Sequence, residues 1–77
     1  MKMTIKEIAE KYGVTYNVAY QGTYGVKPIG TIYREREYPE ETVVKNIVVI
    51  LKDRITRHKE KARELEATLA KVIKTAD

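Results

Sequence analysis

Between residues 12 and 24 the chain sets Tyr12, Tyr16, Tyr20 and Tyr24 four apart, with Thr15, Asn17 and Gln21 among them. An Asn or Gln amide offers a donor and an acceptor side by side, and a tyrosine joins an apolar ring to a hydroxyl. Such groups recognise other molecules by hydrogen bonding and stacking. Catalysis asks for more, and the chain does not offer it. It has no cysteine nucleophile, a lone histidine (His58) without a carboxylate at useful spacing, no metal-ligand cluster and no phosphate-cradling glycine loop. An enzyme is therefore not expected, nor a metal or other cofactor.

Four-residue spacing is helical, yet Gly13 would break a single helix through the tyrosines. The flanking residues explain the break. Thr4-Ile5-Lys6-Glu7 has the form of a capping box, and Ile5, Ile8, Ala9 and Tyr12 make one apolar stripe behind it. Gly13 suits the left-handed position that closes a helix, Val14 follows as a plug, and Thr15 caps a second helix running to Gly22 or Thr23. Gly22, Gly25, Pro28 and Gly30 then exclude helix. The stretch Ile29–Tyr38, "IGTIYREREY", reads as a two-stranded ribbon with Arg36–Tyr38 in its second strand, and Pro39 suits the first position of a third helix. From Glu40 nearly to the end there is neither glycine nor proline, so one long helix is expected. Its residues Val44, Val48, Leu51, Ile55, His58, Ala62, Leu65, Leu69 and Val72 follow an a/d heptad, with His58 and Ala62 the weak members.

The spacing of Ala9, Gly13, Val14, Val18 and Ala19 fits two helices crossing closely at a tight turn. The stretch "IKEIAEKYGVTYNVAYQGT" resembles the helix-turn-helix of lac-repressor-type and MerR-type regulators. The resemblance implies that the second helix lies in the DNA major groove with Thr15, Tyr16, Asn17, Tyr20 and Gln21 outward. Asn17 and Gln21 would pair with adenine edges, and the tyrosines would meet thymine methyls or phosphates. Tyr12 belongs to the core, and Tyr24 is expected as a hinge under the following ribbon. The bland alternative packs Tyr16 and Tyr20 on that ribbon or on a partner helix.

The order helix-turn-helix, "YGVKPIGTIYREREYPEETV", then a helix and a coiled coil is similar to the winged MerR-like superfamily, with Arg36-Glu37-Tyr38 at the end of the wing. This implies a mainly α fold with a small β wing: a winged helix-turn-helix over residues 1–51 and a coiled-coil dimerisation helix over 52–77. Lys27, Arg34 and Arg36 would touch phosphate or the minor groove. Strand alternation would put Arg34 and Arg36 on one face and Glu35 and Glu37 on the other, which also suits a merely solvated strand. The chain lacks the effector domain and cysteines of full-length MerR-type regulators, so no small-molecule effector is expected. It resembles rather the minimal winged proteins of phages and mobile elements.

A heptad stripe needs a second helix, and an uninterrupted helix would leave Leu51, Ile55, His58, Ala62, Leu65, Leu69 and Val72 for a second copy in a homodimer, whose flanking charges leave parallel and antiparallel pairing open; the MerR-like resemblance implies the antiparallel one. A small domain with no disulfide gains from such pairing. At 77 residues, with fifteen Lys/Arg against eleven Asp/Glu, the chain is basic by +4. The excess is densest from Lys52 to Arg63, where Lys52, Arg54, Arg57, Lys59, Lys61 and Arg63 could lie over phosphates or simply face water. No apolar run reaches membrane-spanning length and Met1–Thr4 has no signal-peptide pattern, so a cytoplasmic protein is expected, nucleoid-associated or in a phage-infected cell. The expected function is sequence-selective double-stranded DNA binding as a homodimeric transcription regulator. The alternatives are phage DNA packaging, excision or segregation, and a coiled-coil adaptor that binds no DNA.

Overall fold

The computed structural model describes residues 1–58 and 62–76. The order is β1 (Lys2–Thr4), α1 (Ile5–Tyr12), α2 (Tyr16–Gly22), β2 (Gly30–Ile32), β3 (Glu35–Pro39), α3 (Glu40–Arg57) and α4 (Ala62–Ala76). Four helices thus pack with a three-stranded antiparallel sheet of order β1-β3-β2.

Local chemistry sets the first turn of the path. The Glu7 amide donates to Thr4 Oγ1 at 3.2 Å and the Thr4 amide donates to Glu7 Oε1 at 3.0 Å, closing the expected capping box. Gly13 ends α1 at φ 67°, and its amide donates to the Ala9 carbonyl. Thr15 Oγ1 then accepts from the Val18 amide at 3.2 Å and starts α2. At Gly22 a Cβ would stand 2.8 Å from Ile47, so the lack of a side chain lets α2 lie directly on α3.

The ribbon is a hairpin of β2 and β3, with Thr31 opposite Arg36 and a two-residue turn at Tyr33-Arg34. β1, which has too few residues to announce itself in the sequence, adds to the other edge of β3 with Met3 opposite Tyr38. Pro39 precedes α3 as its N-cap rather than occupying its first turn.

The largest departure from expectation lies in the C-terminal half. The single long helix is replaced by two, because α3 ends at Arg57 and His58 leaves helical geometry (φ −121°, ψ 74°). Helix α4 packs back along α3 and reaches α1. The domain boundary expected at 51/52 falls inside α3. Ile8, Ala19, Val43, Ile47, Leu51 and Val72 form one core, with Leu65 and Leu69 packed against it. The stripe assigned to a second copy has found its partner within the chain. Leu51 and Val72 are 1% and 0% exposed, Leu65 and Leu69 are half-buried, and Ile55 and Ala62 flank them. His58 is exposed at the end of α3, not in a seam. The physical reason is entropic: closing a short connection costs far less than recruiting another molecule for the same burial. Lys59 and Lys61 lie outside the described residues.

Candidate nucleic-acid interface

Helix α2 buries Val18, Ala19 and Gly22 and leaves Tyr16, Asn17 and Tyr20 exposed. Thr15 is also exposed, although its hydroxyl oxygen is occupied by capping. Tyr16 is 59% and Tyr20 45% exposed, large values for aromatic side chains on a small body. Tyr24 does not sit under the hairpin as expected. It is 65% exposed and meets Tyr20 edge-on at 5.5 Å between ring centroids. Tyr12 is where the sequence put it, buried on the core stripe.

Gln21 departs most from its expected orientation. It is half-buried on the side of α2 that faces α3, and its Oε1 accepts a hydrogen bond from Arg54 Nη2 at 2.8 Å. A second amide, Asn46 Nδ2, donates to the Gly22 carbonyl at 2.9 Å, so polar links tie the end of α2 to α3.

Opposite the exposed face of α2 stands the β2–β3 hairpin. Between them lies an open cleft of about 290 Å³ whose walls include Lys6, Tyr16, Tyr20, Arg34, Arg36 and Tyr38. On β3 the side-chain period puts Arg36 and Tyr38 on the same face, and both reach the cleft. Arg34 belongs not to the strand but to the turn, so the expected strand face shared by Arg34 and Arg36 does not form, although both reach the same cleft. Lys27 is exposed in the loop before β2, outside the cleft. Glu37, on the opposite face, is buried with its carboxylate 3.7 Å from Lys2 and over Gly30, where a Cβ would meet Oε1 at 2.7 Å.

The hairpin tip is conformationally costly. Tyr33 and Arg34 adopt φ 48° and 69°, the left-handed values that a two-residue hairpin loop requires and that Asn-Gly supplies with least strain. Tyr33 is also 92% exposed, so burial of its ring does not offset that cost. Sequence reading missed Tyr33. An aromatic residue flanked by hairpin strands and lacking a Gly neighbour was the available signal.

Among residues that do not line the cleft, Glu40 opens α3 and accepts from Lys11 Nζ at 2.6 Å and Tyr12 Oη at 2.5 Å. These two bonds, the lysine's first, hold its carboxyl below the ordinary 4.5; burial, and then the bond to Glu40, push the Tyr12 phenol above 10.0. This cluster stabilises the join between α1 and α3 and lies away from the cleft.

Among the described residues no helix is long and apolar enough to cross a membrane. None of the protein-family profiles, curated proteins or solved structures compared with the chain matches it.

Proposed function

We propose that the protein is a sequence-selective double-stranded DNA-binding protein of the winged helix-turn-helix type, acting in transcription regulation. Helix α2 serves as the recognition helix and the β2–β3 hairpin as the wing. One observation carries this reading: the exposed rings of Tyr16 and Tyr20 on α2 and the cations Lys6, Arg34 and Arg36 line a single cleft, with Glu35 the one carboxylate in its wall. A B-form major groove admits a helix, and the adjoining phosphates demand cations at its flank. Asn17, exposed and near the start of α2, is the bidentate reader; Tyr16 and Tyr20 supply contacts to thymine methyls and phosphates. The reading needs no second copy of the chain, because Leu51 and Val72 are already buried within one.

Fluorescence anisotropy with duplexes enriched from a random pool tests this. Affinity should fall steeply as salt rises, and Asn17→Ala should lose about 1–3 kcal/mol on the enriched duplex with little change on a random one. Equal losses on both duplexes would remove Asn17 from base reading. Binding that salt does not weaken would count against the DNA reading altogether.

A further inference from the structure

Gln21 cannot do all that its place on the recognition helix suggests. A bidentate pair with adenine uses the amide oxygen as acceptor and the amide nitrogen as donor. Here the oxygen already accepts from the Arg54 guanidinium, a charge-assisted bond, so the pair could form only by breaking it.

The bond has a second consequence, for Arg54 itself. Among the described residues the ion pairs join Lys2 to Glu37, Lys11 to Glu40 and Arg57 to Asp53. The neighbouring Asp53 is thus engaged by Arg57, at 3.2 Å. Arg54 is held by a neutral amide instead, which fixes its orientation and, among the described residues, leaves it outside any ion pair. An arginine fork has several N–H donors and Gln21 takes one, so the others are free for a second acceptor. Only half-buried, Arg54 lies against the last turn of α2, on the side of that helix that faces α3. At the turn that closes α1, the Lys71 side chain crosses the bare face of Gly13, where a Cβ would stand 2.5 Å from Nζ. Helices α3 and α4 thus place Arg54 against the last turn of α2 and Lys71 over the turn between α1 and α2.

We infer that Gln21 is a positioning residue that aims Arg54 at a backbone phosphate beside the groove occupied by α2. Helix α3 thereby forms a second, sequence-blind clamp in addition to the wing. This deepens the proposed function and rests on it. The preferred ligand is a phosphodiester of duplex DNA, since planar guanidinium donors match phosphate oxygens and carry no base information.

The test measures affinity across a salt series for the full chain and for Gln21→Ala, Arg54→Gln and their double variant, on an enriched and a random duplex. Arg54→Gln should weaken both duplexes by the same factor and make the log–log salt slope shallower by about 0.9, as one lost phosphate contact requires. Gln21→Ala should also weaken both equally and leave their ratio unchanged. The double variant should bind no more weakly than Arg54→Gln alone, because the amide acts through the guanidinium. Should Arg54→Gln fail to fold, Arg54→Lys serves instead: the slope stays, both affinities fall together, and adding Gln21→Ala changes nothing further.

A collapse of discrimination in Gln21→Ala would make it a base reader and overturn the inference. So would an unchanged salt slope in Arg54→Gln. If both occur while the wild-type chain binds DNA and Asn17→Ala loses selectivity, the proposed function survives without the clamp. If the wild-type chain binds neither duplex, both fall together.

Discussion

The helical-hairpin side and the cleft side of this molecule are built under opposite rules. Where α1, α3 and α4 meet, Ile8, Val43, Ile47 and Val72 are wholly buried, and Glu40, Lys11 and Tyr12 satisfy one another. Among the described residues no buried side-chain nitrogen or oxygen lacks a partner. On the cleft side, Tyr16, Tyr20 and Tyr33 face solvent, and two ordinary residues hold a turn that glycine would make with less strain. A chain selected for stability alone would treat both sides alike. The contrast teaches that the first side is a scaffold, and it makes the second the place to look for a partner.

The sharpest way to break the comparison is to attack the scaffold. Leu51→Ala should cost about 2–5 kcal/mol of stability, a large share of what so small a domain possesses. Because α4 supplies the packing from the same chain, the unfolding midpoint should not vary with protein concentration. A concentration-dependent midpoint would restore the intermolecular coiled coil.

The next test works on the cleft side and should have the reverse sign. Replacing the turn by Tyr33→Asn with Arg34→Gly should raise stability by about 1–2 kcal/mol, since each left-handed non-glycine residue stores strain of that order. The same variant should bind duplex DNA more weakly, having lost the exposed ring and a cation. Chemical denaturation and anisotropy on one sample read both effects. A gain in stability with unaltered binding would mean that the tip touches nothing.

The smallest effect concerns pH. The folded-state carboxyl of Glu40 is depressed by Lys11 and Tyr12, so its contribution is complete above the ordinary carboxylate value and disappears as pH falls through the lower folded value. Thermal midpoints measured from pH 7 down to pH 2 should fall less for Glu40→Gln than for the wild type. The difference should be small, because Lys11 is substantially exposed and its attraction is screened. Parallel acid limbs for the two proteins would show that the bonds to Glu40 add nothing.

Much of this architecture was legible from local signals. Thr4, Glu7, Gly13 and Thr15 act within three or four residues of themselves, so the two short helices and their turn could be read directly. The hairpin was legible as a ribbon, but β1 was not, because three residues at a chain end acquire strand geometry only from β3. The break after Arg57 was invisible to rules based on glycine and proline. Its trace was a gap: between Ile55 and Leu65 the stripe offers only His58 and Ala62, where α3 is capped and α4 begins. The orientation of Gln21 was equally beyond local reading. Helical position alone left it open to solvent; the crossing of α3, set by Gly22, turned it inward. Tyr24 escaped for the same reason, since its neighbour Tyr20 decides where it rests.

The central claim is that α2 and the hairpin tip engage one duplex together. Titrating labelled protein with an enriched duplex, and following backbone amides by NMR, addresses it most directly. Amides of residues 15–20 and 33–36 should shift at the same stoichiometry, while those around Glu40 and Thr75 hold their positions. Shifts confined to the residues around Glu40, with residues 15–20 undisturbed, would contradict the account.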